Sequence, residues 1–435
     1  MLNIKGGYKV KRVTKGFLVL FMVFTLSFTA LASGGFTYMG HIASLDTTAE
    51  GPFGEIWRKF QELYPQYDLT YVGNAGTDAQ MTKLKLAAES NQLPDIFWSL
   101  DATAVELYEA GYLLDLTEFM ETHPEVSANL ASNMVFQRDN DIYGLAFELN
   151  IQGFWYNKQI FREHGIPEPV AGTTFEELLD MVADLNSKGI VPIANGAQSP
   201  YSCWAIMGCL ARYGYFDRID AITAGEDSWD NEDFLAFFKS LKVLADAGAF
   251  AKNVTTNNYF DAVALFESGG AAMMDAGSWL AGSEGVLAMG DDIGFWWGPT
   301  FADGVGVNEL SIQIPSAPIC VSSAVANDPA KKEAVYAFLN FYYSQMAAEI
   351  AVNVGFIPVV TLEKEVKTDI PSQQALLDAV AVGWTSIPVG PDLILSTAMQ
   401  NQLHDSIYGV IGGIYTPEQA LRLLDAAQQE ELLYF

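Results

Sequence analysis

Histidine and cysteine are scarce in this chain, and neither is clustered. The four histidines, His41, His123, His164 and His404, stand singly, and Cys203, Cys209 and Cys320 are the only cysteines. Zinc and iron sites draw on grouped His and Cys, and neither H-E-x-x-H nor C-x-x-C occurs. No G-x-S-x-G elbow accompanies a base, and no P-loop or G-x-G-x-x-G follows a strand, so nucleophilic hydrolysis and nucleotide binding lose their usual signatures. No cofactor and no metal is expected. An odd number of cysteines leaves at least one thiol unpaired. A bridge between Cys203 and Cys209 is disfavoured, because the partly helical segment between them would hold the sulfurs apart. Low-complexity linkers and internal repeats are also missing. Carboxylates, by contrast, are so many that a glycosidase pair stays open on composition alone.

Positive charge is the next shortage. Lysine and arginine total 23 against 53 acidic residues, a formal net charge of -30. Five of the basic residues, Lys5, Lys9, Lys11, Arg12 and Lys15, precede the acid-free apolar run 17–28, and Ala30-Leu31-Ala32 then forms a small-residue cleavage site before Ser33. These are the three parts of a secretory signal, which predicts that residues 1–32 direct export and are removed. The run is short for a membrane span, though an uncleaved signal would act as an anchor. Such a polyanion repels nucleic acid and anionic lipid, so neutral or cationic ligands are expected.

Half of the 435 residues are apolar, enough for two lobes. Period-2 and period-3.6 patterns alternate along the chain. Strands are expected over 36–41, 69–72, 96–97, 143–147, 190–194, 271–274 and 317–322. Helices are expected over 52–64, 78–89, 102–110, 159–164, 175–188, 232–247 and 330–343, with 372–433 largely helical. Thr174 to Glu177 reads as a capping box, and Gly111 and Gly189 as helix stops. Residues 282–307 read as irregular. The alternation predicts an α/β chain whose sheets are mostly parallel and flanked by helices.

Aromatic rings beside short polar groups recur just past the expected strands. Trp98 lies near Asp101, Tyr201 and Trp204 near Ser199, and Trp279 near Asp275 and Ser278. In open α/β sheets, ligands sit outside the carboxyl ends of the strands. Flat rings with a polar rim suit sugars, which present C–H faces and an edge of hydroxyls. Trp296, in the irregular stretch, and Phe356, in a Gly-Phe-Ile-Pro turn, are further candidates. Taken singly, each ring fits a hydrophobic core as well, and Asp101 fits the N-cap of the following helix.

Several segments, in order and spacing, carry a resemblance: PDIFW (94–98), AGYLLDLT (110–117), IYGLAF (142–147), WYNKQIFREHGI (155–166), TTFEEL (173–178), GIVPIA (189–194), ESGGAAMMDAGSW (267–279) and GFIPV (355–359). Together they make the chain similar to the extracellular solute-binding proteins of bacterial carbohydrate ABC transporters, the group that includes maltose-binding protein. The resemblance implies a two-lobed periplasmic-binding-protein fold of type II. A first lobe would comprise 33–146 plus 311–352, and a second 147–310 plus 353–435, with a ligand cleft between them. It matches Trp98 and Asp101 to a sugar-contacting pair, Tyr201 and Trp204 to second-lobe aromatics, and Trp279 to a ring that stacks on sugar. Glu148 falls near a family contact, and Ser199 stands where maltose-binding protein has a carboxylate, which argues against the same sugar. The implied role is an exported, monomeric, non-enzymatic binding component that delivers a mono- or oligosaccharide to membrane permease subunits driven by a separate ATPase. It would work in the periplasm or at the outer face of the cytoplasmic membrane. A secreted carbohydrate hydrolase and a sugar-sensing partner of a membrane kinase remain the rival readings.

Overall fold

The structure, a computed structural model, describes residues 34–41, 53–74, 76–130, 132–198, 202–354, 356–364 and 367–433. The expected export segment lies outside these residues, as do Ser199 and Tyr201. Twelve strands occur among the described residues. They are β1 (Phe36–Gly40), β2 (Leu69–Gly73), β3 (Ile96–Trp98), β4 (Val135–Arg138), β5 (Asp141–Ala146), β6 (Leu149–Asn157), β7 (Val191–Ala194), β8 (Ala271–Gly277), β9 (Ile293–Trp296), β10 (Leu310–Pro315), β11 (Pro318–Val321) and β12 (Thr385–Ser386). The first sheet runs β2-β1-β3-β11-β5-β4; the second runs β12-β10-β6-β8-β7, with β9 also paired to β6.

The sheets are mixed, which corrects the expectation of mostly parallel pairing. In the first sheet β1 pairs parallel with β2 and β3, whereas β11 runs antiparallel to both β3 and β5. The reason lies in the connections. Parallel neighbours need a long crossover, which the helices Phe53–Leu63 and Thr77–Glu89 supply, but β11 arrives directly from the other lobe. The β4–β5 turn is a tight hairpin built on Asp139 and Asn140, both at positive φ (54° and 78°).

Each sheet has its own core. Phe36, Phe60, Phe97, Leu145 and Phe338 are among the buried side chains of the first. In the second, β6 is buried on both faces, and its side chains alternate between two cores. Phe154 and Tyr156 join one with Phe161, Leu210 and Phe237; Ile151 and Trp155 join another with Met274, Phe295 and Leu376. The stretch expected to be irregular holds a helix, Glu284–Ala288, and β9. The three cysteines are free and buried.

The lobes are joined by a two-stranded ribbon. β5 passes through Phe147 and Glu148 into β6, while β10 passes through Ser316 and Ala317 into β11. The Ser316 N–H donates to the Glu148 carbonyl at 2.8 Å, and the Phe147 N–H to the Ala317 carbonyl at 3.2 Å. A third segment touches this ribbon, the Ile357 carbonyl accepting from the Leu149 N–H at 3.1 Å. Two expected boundaries therefore move. Residues 311–315 belong to the second sheet through β10, not to the first lobe. Val359 and Val360 pack in the first core, the Thr361 N–H donates to the Asn129 carbonyl, and the second lobe resumes with the helix Pro371–Ala381.

Candidate functional site

The first wall of the site is set by β1 and β3. Being parallel neighbours, they end at the same edge, and His41 directly after β1 meets Trp98 at the end of β3. Their ring centroids lie 4.0 Å apart at 36°. Fully buried Gln80, from the helix Thr77–Glu89, donates to the Trp98 carbonyl at 2.7 Å and the Met39 carbonyl at 3.1 Å, which ties the two strand ends together. Burial lowers the His41 imidazole to about 4, so it is neutral at pH 7. Trp98 is 6% exposed, and among the described residues nothing accepts its indole N–H.

Asp101 begins the helix Asp101–Glu109 but is not its N-cap; Leu100 holds that place. The Asp101 carboxyl instead accepts from the Tyr143 hydroxyl at 2.7 Å, and burial raises its pKa while that bond opposes the rise. Beside this wall, Phe147 in the ribbon stands edge-on to His41 at 6.0 Å and to Phe356 at 5.5 Å. The Phe147 carbonyl accepts from the Tyr342 hydroxyl at 2.6 Å. Glu148 follows in the ribbon, 9% exposed, and burial pushes its carboxyl up to about 8, with a Ser316 hydrogen bond opposing. It is therefore largely protonated at pH 7.

The second wall grows from the end of β8. Gly277 closes the strand, and a Cβ there would lie 2.1 Å from the Trp279 ring, so glycine is what lets the indole fold back over the strand end. Trp279 stands edge-on to Trp204 with centroids 4.7 Å apart, and its N–H donates to the Tyr259 hydroxyl at 2.7 Å. Tyr259 in turn stands edge-on to Trp204 at 5.8 Å. Both Trp204 and Trp279 are partly exposed.

Three expected site residues serve the scaffold instead. Asp275 is 1% exposed, and its two oxygens accept from the Ala205 and Ile206 N–H groups at 2.8 and 3.0 Å, so it holds the start of the helix Trp204–Gly208. Burial raises its pKa to about 7 against the pull of those two donors. Ser278 is 5% exposed; its hydroxyl accepts from the Ile151 N–H at 3.3 Å and donates to the Leu149 carbonyl at 3.4 Å. Trp296 lies inside the second lobe, 2% exposed and packed on Phe154, because alternation along 295–297 turns it to the face opposite Phe295 and Trp297. His41, Phe147 and Tyr259 were not singled out from sequence. His41 had one usable signal, its place at the carboxyl end of the first expected strand. The capping box from Asn258 to Asp261 marks the helix that Tyr259 opens.

A continuous path links the walls: Trp98 lies against His41, His41 meets Phe147, Glu148 leads to Leu149, and the Leu149 carbonyl accepts from Ser278, the neighbour of Trp279. The carboxyl ends of β1, β3 and β5 point toward the ribbon from one side, and those of β7, β8 and β10 from the other. Among the described residues, no group of three or more His, Cys, Asp or Glu is placed to hold a metal ion, and no helix is long and apolar enough to cross a membrane.

Two lobes joined by a ribbon, with strand ends turned to it, have counterparts among known proteins. The profile of the family described as bacterial extracellular solute-binding protein matches residues 42–349. The chain belongs to that family. The Multiple sugar-binding protein of Streptococcus mutans is 25% identical over 255 residues, 56% of each chain, so the chain spans about half the length of the curated relatives it matches. Among solved structures, a chitin oligosaccharide binding protein superposes with a TM-score of 0.75 at 21% identity, over 90% of this chain and 98% of the other. The bacterial solute receptor AcbH, described as having an exclusive substrate preference for β-D-galactopyranose, reaches 0.75 at 16% identity over 93% of this chain and 100% of the other. These likenesses give the fold, the two-lobed arrangement of periplasmic solute-binding proteins. Family membership makes this a binding protein of an extracellular class.

Proposed function

We propose that this chain is the extracytoplasmic binding component of an ABC importer and that it captures a neutral mono- or oligosaccharide between its lobes. The observation that carries the reading is the pair of indole groups, Trp98 on one lobe and Trp204 with Trp279 on the other, placed at strand ends on either side of the ribbon. Rings of this kind give a sugar C–H face a flat partner, and the orphaned Trp98 N–H has a hydroxyl oxygen to donate to. No lysine or arginine stands among the residues named at the walls, His41 is neutral and Glu148 largely protonated, which disfavours an anionic sugar. Sugar-binding relatives point the same way. Tyr201 and Ser199 belong to the proposed site by resemblance alone.

In this reading the sugar touches both lobes only when they close, so it favours the closed form by its difference in affinity for the two states. Permease subunits with a separate ATPase recognise that form at the outer face of the membrane, and one copy of the chain suffices. Isothermal titration against a panel of neutral saccharides tests it. At least one should bind, and Trp279→Ala should weaken that binding about tenfold or more while leaving the fold intact by circular dichroism. Heat only from an amino acid or peptide would refute the carbohydrate assignment. Chromatography of the same mixtures checks the rival, because cleaved products would indicate a hydrolase.

A further inference from the structure

The aromatic group of the second lobe extends beyond the strand ends. Tyr259 opens the helix Tyr259–Glu267, whose first turn is locked by a capping box: the Asp261 N–H donates to the Asn258 side chain at 3.0 Å, and the Asn258 N–H to the Asp261 carboxylate at 2.9 Å. With one side of this turn on Trp204 and Trp279, the next ring, Phe260, stands edge-on to Tyr259 at 5.4 Å. Phe260 is 76% exposed; among the exposed large apolar side chains of the described residues only Leu433 is more so. The inner face of the same helix is buried, Ala262 and Phe266 being fully so. The turn is also fastened to the loop that follows β7, through the Gln198 N–H to the Asn257 carbonyl at 2.9 Å and the Ala197 N–H to the Val254 carbonyl at 2.9 Å. That loop leaves β7 at the same edge from which Trp279 leaves β8.

We infer that Phe260 is an outer sugar platform and that the ligand is an oligosaccharide rather than a single hexose. This rests on the carbohydrate reading above. An inner unit lies against Trp279, and the chain of units runs outward past Tyr259, so that a later unit covers the Phe260 ring. Tyr259 touches both rings, its hydroxyl accepting from the Trp279 N–H and its ring standing edge-on to Phe260, so a unit on Phe260 lies beyond the unit on Trp279. The energetic argument agrees: a phenylalanine ring left in water gains nothing for the fold, while a stacked pyranose removes apolar area from both partners.

The test is titration calorimetry of the full chain and of Phe260→Ala with glucose, xylose and N-acetylglucosamine and their oligomers from dimer to pentamer. Phe260 is exposed and not part of a core, so the variant should keep its melting temperature. The expected result is unchanged affinity for the shortest ligand that binds and a loss of about fivefold for longer members of that series. Equal affinities for variant and parent at every length would overturn the inference while leaving carbohydrate binding in place, as would a parent that prefers the monomer. If none of these saccharides nor any other neutral sugar binds the parent, the functional reading and this extension of it fall together.

Discussion

Glu148 shows how one side chain couples the joint between lobes to pH. Its carboxyl lies in the ribbon, and burial raises its pKa from 4.5 to about 8, so the folded state keeps a proton that the unfolded chain releases. Between those two values the folded state therefore binds more protons, and stability falls as pH rises across that window. The penalty is fully present above pH 8 and absent below pH 4. Glu148→Gln keeps the shape without the charge, so the ligand-free variant should gain on the order of 4 kcal/mol over the parent at pH 8 and little at pH 4.5. Thermal unfolding across that range measures it, and a gap that does not vary with pH would contradict the assignment. Asp275 titrates in the same window but is present in both proteins, so the difference isolates Glu148. Neutral His41 and protonated Glu148 fit a site built for an uncharged ligand. Neither state could be read from the sequence, since burial is what moves both groups.

At the scale of elements, the short helix Trp204–Gly208 depends on a carboxylate that comes from another strand. Five residues make too few internal hydrogen bonds to hold a helix, and Asp275 supplies the acceptors for its first N–H groups. Asp275→Ala would leave those buried donors unpaired, at a cost of about 2–4 kcal/mol. Because Trp204 opens this helix, the same variant should also bind saccharide more weakly, and Asp275→Asn, which retains one acceptor, should fall between the two. Urea unfolding and titration on one preparation would measure both effects. Lost stability with undiminished affinity would remove Trp204 from the site. The sequence placed Asp275 beside Trp279 correctly in the chain, yet its partners lie on a distant segment, and no local pattern announces them. Trp296 is a parallel case, for in a stretch read as irregular there was no strand period to say which face the ring would take.

At the scale of the molecule, the first-lobe core is distinct from the two cores of the second lobe, and the ribbon is the main covalent and hydrogen-bonded bridge between the lobes. Such an arrangement lets the lobes turn about a few residues without disturbing either interior. Saturating saccharide should therefore reduce the radius of gyration measured by small-angle X-ray scattering; an unchanged value at full occupancy would mean the site lies on one lobe alone. By itself the sequence determined the kinds of elements, the capping boxes, the α/β class and the presence of tryptophans at strand ends, since periodicity and capping act between residues a turn or two apart. It also carried enough ordered segments to mark the family. Tertiary structure alone decided that His41 would lie on Trp98, that β11 would enter its sheet antiparallel, and that Asp275 and Ser278 would be spent on the scaffold. Those outcomes depend on which distant strand becomes a neighbour, and only chain closure across the ribbon settles that.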